Sequence, residues 1–130
     1  MVSGQWTPTV LAGGTGVEMD PMHYWKCFDI VFISCATWKF VVQGPTEAAL
    51  ALSLPFPVKS IRSFGMMGYN NTGRNIIPAC MENTGIGFVI KSQDGSTTDV
   101  KGTDSFGGQT FQFSLIYATG KESAIFLKGV

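Results

Sequence analysis

Apolar and polar side chains alternate along much of this chain, and a period of two is typical of β-strands. The longest such stretch runs from Tyr24 to Val42. One set of alternating side chains in it comprises Val31, Ile33, Cys35 and Thr37. The opposite set comprises Phe32, Ser34, Ala36, Trp38 and Phe40. Because both sets are largely apolar, the pattern predicts a strand at the centre of a sheet or at a subunit contact.

Shorter strands follow between turn signals that recur about every eight to twelve residues. They are predicted at residues 60–67, 75–81, 86–91, 97–101, 110–117 and 123–127, with turns or loops at 69–73, 83–85, 102–108 and 119–121. Residues 46–54 suit a short helix by propensity, but the alternation of Leu50, Leu52 and Leu54 favours a strand. Pro78 interrupts the segment 75–81, which predicts an edge or bulged strand there. Eight or nine short strands predict an all-β fold, an antiparallel β-sandwich of jelly-roll type.

The N-terminal stretch combines a large anchor with a proline and a run of glycines. Trp6 needs a surface to cover its ring, and Pro8 has no N–H to donate, so the segment is an edge strand or an arm preceding the first strand. Glycines at 13, 14 and 16 give the backbone extra freedom. We interpret residues 1–16 as an extended N-terminal arm and residues 17–130 as a single β-sandwich domain; an ordinary first strand and turn is the alternative.

Composition narrows the class of partner. The chain has 130 residues, the size of one domain, and only 14% of them are charged, against ~25% in a typical soluble domain. Nine basic and nine acidic residues cancel and are scattered along the chain. Without a basic stripe, neither nucleic-acid binding nor membrane-surface binding is predicted. Low charge with 16 glycines suits a β-rich protein that hides surface in an assembly.

No residue pattern points to an enzyme, a cofactor or a metal site. His23 is the single histidine, and no G-x-S-x-G motif accompanies it. Three acidic residues recur at five-residue spacing without a calcium-loop pattern: Asp94, Asp99 and Asp104. Three cysteines, an odd number without C-x-x-C spacing, are expected to be free thiols: Cys27, Cys35 and Cys80. No signal peptide is visible, and the longest apolar stretch is too short to cross a bilayer.

Several short motifs follow one another in a fixed order. They are Trp6-Thr7-Pro8, Gly13-Gly14-Thr15-Gly16, Tyr24-Trp25-Lys26, the apolar run 30–33 and Leu54-Pro55-Phe56. Their order and spacing resemble a module of tailed-bacteriophage virion proteins, found in decoration and tail-fibre proteins. The resemblance covers roughly residues 4–58. The family often has a glycine before the Asp or Asn that leads into the strand, whereas this chain has Phe28 before Asp29.

The resemblance implies a virion structural protein, usually a homotrimer, that is assembled in the host cytoplasm and displayed on the virion surface. Two functions are compatible with it. A capsid decoration (cement) protein would bind the major capsid protein and bridge capsomers; a tail-fibre or tailspike receptor-binding module would recognise a host-surface glycan. A single domain beginning at Met1, with no shaft, favours decoration. The residues expected at interfaces are Trp6, Pro8, Val10, Trp25, Val31 and Ile33. Trp6 suits a subunit contact or the core equally, and Trp38 is expected in the core.

Overall fold

The protein is built from β-strands, as the alternation predicts. The computed structural model describes residues 1–59, 62–81, 85–104 and 108–119. The strands in this part of the chain are β1 (Val2–Trp6), β2 (Val10–Ala12), β3 (Gly16–Glu18), β4 (Met22–Cys27), β5 (Ile30–Gln43), β6 (Ala51–Ser53), β7 (Ser63–Asn70), β8 (Ile76–Met81), β9 (Gly85–Lys91), β10 (Thr97–Asp99) and β11 (Gln109–Ala118). Within the same residues, no helix is long and apolar enough to span a membrane.

The strands form two antiparallel sheets. Sheet A has the order β1-β4-β5-β11-β7, and β3 pairs with the far end of β5. Sheet B has the order β10-β9-β6-β2, and β8 lies on the other side of β9. The all-β, two-sheet prediction is therefore confirmed, and the arrangement is compatible with a jelly roll. β5 lies inside sheet A, between β4 and β11, as the prediction of a strand at the centre of a sheet requires.

The core lies between the two sheets. Its aromatic centre is a set of edge-to-face and tilted rings with centroids 5.0 to 6.4 Å apart: Phe40, Phe88, Phe111 and Phe113. Such geometry suits the ring quadrupoles and adds to the free energy of area burial. The Tyr117 hydroxyl, inside the core, donates a hydrogen bond of 2.9 Å to the Phe56 carbonyl. These contacts make the inner face of sheet A inaccessible to any partner.

A β-bulge interrupts the alternation of β5. Phe111 lies opposite Thr37, but Gln109 lies opposite Phe40, so three steps on β5 match two on β11. Thr37 and Phe40 are consequently both buried, at 1% and 3% exposure. The prediction that Phe40 shares a face with Phe32 is wrong, because the extra residue reverses the alternation beyond the bulge.

The connector before β4 holds this bulge in place. The backbone N–H of Trp38 donates to Asp20 Oδ2, and the N–H of Asp20 donates to Thr37 Oγ1, each at 3.1 Å. The Thr37 hydroxyl in turn donates to the Lys39 carbonyl. The bulge is thus a fixed part of the fold that turns the Phe40 side chain into the core.

Residues 1–16 are not an extended arm, which corrects the sequence prediction. β1 pairs with β4 along its whole length, from Val2 opposite Lys26 to Trp6 opposite Met22. The chain then crosses to the second sheet at the buried Pro8, and β2 pairs with β6. Of the two alternatives that Pro8 allowed, the structure selects the edge strand.

The glycine run of this segment is packed rather than free. Gly13 has a φ of +92°, and a Cβ on it would lie 2.8 Å from Leu50 Cα. Its carbonyl accepts a hydrogen bond of 3.0 Å from the Thr46 N–H. The Thr15 N–H donates to the Gln43 carbonyl at 2.8 Å. Glycine is needed here for a left-handed conformation and a close approach, not for reach.

The remaining strand predictions have mixed outcomes. The segment 46–54 contains a strand, but only over Ala51–Ser53. Pro78 lies in β8, which borders sheet B in the described part of the chain, so the edge prediction is confirmed. β7 runs on to Asn70, and the prediction of a turn from Tyr69 is wrong in its first two residues. The strand at 123–127 lies outside the described residues, as do parts of the turns or loops at 83–85, 102–108 and 119–121.

Candidate assembly surface

The solvent-facing side of sheet A carries a row of apolar side chains across four strands. Strand register places Trp25 of β4 opposite Phe32 of β5, Phe32 opposite Ile116 of β11, and Ile116 opposite Phe64 of β7. Met66 follows two residues along β7. We call these five residues, Trp25, Phe32, Phe64, Met66 and Ile116, the apolar face.

The apolar face arises because β5 directs alternate side chains into the core and to solvent. Val31 and Ile33 point inward and are 0% and 2% exposed, so Phe32 between them must point outward. Phe32 is 43% exposed, and its row neighbours Trp25 and Phe64 are 41% and 62% exposed. Large apolar side chains exposed singly are ordinary, but a contiguous row of them on one sheet face is a candidate interaction site.

A groove of about 550 Å³ lies on this face. It is lined by Met1, Trp25, Phe32, Ile33, Ser34, Phe64, Met66, Ser114, Leu115 and Ile116. None of these ten residues has a charged side chain, and the polar side-chain groups among them are two serine hydroxyls and the Trp25 indole N–H. The groove can therefore bury apolar surface, but it lacks the convergent polar groups that orient a small substrate.

One border of the apolar face is aromatic and polar. The His23 ring stacks on Trp25, with centroids 6.3 Å apart and planes 21° from parallel. Gln5 of the edge strand β1 lies beside it, with its Nε2 3.3 Å from His23 Nε2. These side chains form a polar rim next to the apolar row, the usual anatomy of a protein interface.

The opposite end of the same sheet face is more polar. Trp38 is 70% exposed there, and Tyr69 is 52% exposed. The prediction that Trp38 packs in the core is wrong, because Trp38 lies on the same face of β5 as Phe32, and that face points to solvent. A shallow depression of about 250 Å³ lies on this part of the face, lined by Ser34, Cys35, Ala36, Met66, Gly68, Gln112, Phe113 and Ser114.

The predicted interface residues divide into three groups. Trp25 lies on the apolar face. Val31 and Ile33 lie in the core, which corrects their prediction as interface residues: the alternation was identified, but the wrong one of the two sides was assigned outward. Pro8 is buried within the domain, and Val10 is half-buried in β2 opposite Leu52.

Trp6 is half-buried and packs against the core. Its ring lies 6.1 Å from the Tyr24 ring, and its Nε1–H donates to the Ser53 carbonyl at 3.2 Å. Ser53 also accepts a hydrogen bond from the Thr9 N–H at its hydroxyl and donates its own N–H to the Thr9 carbonyl. Of the two roles open to Trp6, the structure supports the core: this ring joins sheet A to sheet B.

Four members of the apolar face are absent from the predicted interface residues: Phe32, Phe64, Met66 and Ile116. A signal for Ile116 is present, since the outward positions before it in β11, Gln112 and Ser114, are polar. Phe64 and Met66 alternate with Ser63 and Gly65 in β7, and the bulky residues point outward because Gly65 lies against the backbone of Pro78 in β8. That close approach between the two sheets is a feature of the tertiary structure and has no signal in the local sequence.

The titratable groups show local structural roles. Burial raises the pKa of the Cys35 thiol to about 12 and that of Cys80 to about 11, so both stay protonated and are poor nucleophiles at neutral pH. Hydrogen bonds from Ser96 lower the pKa of the Asp94 carboxyl. The Asp104 carboxylate accepts the Lys101 N–H at 3.0 Å. Among the described residues, no group of three or more His, Cys, Asp or Glu side chains could hold a metal ion.

Comparison of the chain with family models, with curated proteins and with solved structures gives no match. The resemblance to the phage virion module therefore rests on the short motifs alone.

Proposed function

We propose that this protein is a structural component of a tailed-phage virion: a trimeric decoration protein that binds the major capsid protein and stabilises the head shell by bridging capsomers. The observation that carries the proposal is the apolar face. A domain that worked alone in water would expose this row of aromatic side chains at a cost in solubility, whereas a domain that works in an assembly covers it.

Composition and construction support the same role. Only 14% of the residues are charged, so the surface has few groups whose desolvation would oppose burial in a shell. The N-terminal segment is clamped between the sheets through Trp6 and Ser53, and the glycine run is packed. A rigid domain with a large contact surface suits a protein that bridges others, because little conformational entropy is lost on binding.

The test is binding to expanded, empty capsids from which any decoration protein has been removed. The purified chain should co-sediment with these capsids, saturate at a fixed ratio to the major capsid protein, and raise the temperature at which the shells dissociate. Saturable binding to host cells without binding to capsids would overturn the proposal.

The second candidate is a receptor-binding module for a host-surface glycan, and one observation favours it. Exposed Trp38 and Tyr69 belong to the polar end of sheet A, where Gln112 and two serines line the shallow depression. Exposed aromatic rings next to neutral hydrogen-bonding groups suit a sugar, which presents both C–H faces and hydroxyls. Loss of host-cell binding by Trp38→Ala, with folding retained, would support this candidate.

A further inference from the structure

We infer that the apolar face is the contact between copies of this chain, with Phe64 of one copy seated in the groove of the next. The inference rests on the proposed function, since it names the surface that holds the proposed trimer together. It leaves capsid binding to the other surfaces of the domain.

The size of the apolar face suits the centre of such an interface. Trp25, Phe32, Phe64 and Met66 are 41% to 62% exposed, and side chains of this kind bury up to roughly 150–250 Å² each. Together they offer about 300–500 Å² of apolar area. A stable interface buries about 800 Å² on each partner, with a polar rim around an apolar centre. The serines, Gln112, His23 and Gln5 on the same side of sheet A can supply that rim.

The chemistry of the groove favours a second copy over an unrelated partner. With no charged side chain among its ten lining residues, the groove offers few groups that would select a charged ligand or a charged protein surface. Its best complement is an uncharged, aromatic surface, and the apolar face is itself such a surface. Phe64, the most exposed of its members at 62%, lies on the same face as the groove that would receive it.

The edge of sheet A beside the apolar face also supports contact between copies. β1 borders the apolar face, since Ser3 lies opposite Trp25. Its five residues, Val2–Trp6, include no charge and no proline, and its outer side pairs with no other strand in the described part of the chain. Edge strands exposed to water are normally protected by charges, prolines or bulges. An unprotected edge next to an apolar groove is consistent with both being covered when copies associate.

Analytical sedimentation of the purified full chain tests the inference. Association depends on protomer concentration, so the concentration must be fixed. At about 10 µM the wild type should sediment as an oligomer. A trimer would have a mass near 42 kDa, three times the 14.0 kDa chain. Phe64→Ser should sediment as a monomer at the same concentration, with a dissociation constant raised at least ten-fold.

Phe28→Ser is the matched control, since Phe28 is 80% exposed but lies on the turn between β4 and β5. It should leave the mass unchanged. Circular dichroism establishes that each variant is folded, and Phe64→Thr replaces Phe64→Ser should the latter fail to fold. A wild-type monomer at about 100 µM, or an oligomer that Phe64→Ser leaves intact, overturns the inference.

The outcomes separate this inference from the proposed function. A wild-type monomer that still binds empty capsids overturns the self-contact and leaves the decoration role standing. If the wild type is an oligomer that Phe64→Ser dissociates, but it does not bind capsids, the self-contact is supported and the decoration role is overturned. If the wild type is monomeric and Phe64→Ser abolishes capsid binding, the capsid is the occupant and the inference is wrong.

Discussion

Trp6→Ala tests whether the N-terminal segment stabilises the domain or serves attachment. We expect Trp6 to stabilise the domain, because its ring packs against Tyr24 and the core. Its indole N–H also donates a hydrogen bond to the Ser53 carbonyl in sheet B. Truncation removes the ring contact and the hydrogen bond at once. It should loosen the pairing of β1 with β4 and the crossing at Pro8.

The magnitude follows from the burial of Trp6. A half-buried indole hides about 100 Å² of apolar surface, which at ~25 cal/mol per Å² contributes about 2.5 kcal/mol to the free energy of unfolding. The hydrogen bond to Ser53 adds about 0.5–1.5 kcal/mol. Trp6→Ala should therefore lower the free energy of unfolding by about 3 kcal/mol, close to the range for large core truncations. For a domain of this size that corresponds to about 10 °C in the melting temperature.

The assay is urea unfolding followed by circular dichroism. Because association stabilises a folded chain by mass action, the measurement should be made in the Phe64→Ser background or at several protein concentrations. Trp6→Phe is the matched control: it keeps an aromatic ring but removes the N–H donor, and it should cost about 1 kcal/mol.

The reasoning fails if Trp6→Ala unfolds at the same urea concentration as its parent while oligomer formation or capsid binding is lost. That result would mean that the ring is covered by another protein and that the segment acts as an arm. An equal loss of stability in Trp6→Ala and Trp6→Phe would also contradict the reasoning, since it would assign the whole effect to the hydrogen bond.

Three further predictions concern other parts of the fold. Gly65→Ala should lower the free energy of unfolding by about 3 kcal/mol in urea melts, because the methyl group would overlap the Pro78 carbonyl, whereas Gly68→Ala should be tolerated. Phe28→Gly should raise it by about 0.5–1 kcal/mol, because Phe28 has a φ of +52°. The raised pKa of Cys35 means that the folded chain keeps the thiol proton up to a higher pH than the unfolded chain, whose thiol titrates near 9.0. Stability should be constant below about pH 9 and then fall by ~1.4 kcal/mol per pH unit from this group. Urea midpoints from pH 7 to 10.5 should fall less steeply for Cys35→Ala than for the wild type.

Local patterns were enough to identify the fold class. Alternation is a property of a single strand, so β5 and β11 could be recognised without knowing their neighbours. Pro78 indicated an edge strand for an equally local reason, the missing N–H. The two faces of β5 could be separated up to Thr37 because side chains of a regular strand point alternately to opposite sides.

The direction of those faces could not be read from alternation. Val31 and Phe32 are both apolar, and only packing against sheet B determined that Val31 is buried and Phe32 exposed. The bulge after Thr37 had no local signal either, because it is held by Asp20 from another segment. The expected position of Phe40 was wrong for this reason, whereas that of Trp38 was wrong because the face that it shares with Phe32 points to solvent.

The sequence by itself determined the approximate positions of the strands from β4 onward, the edge character of Pro78 and the low charge that favours assembly. Only the tertiary structure decided where the apolar face lies, because its row takes one residue each from β4, β5, β11 and β7. β4 and β5 are consecutive in the chain, but β7 and β11 come much later, and their places beside β5 are set by long-range pairing. Alternation specifies which side chains share one face of a strand. Sheet order and packing decide which face points to solvent and which side chains of other strands lie beside it.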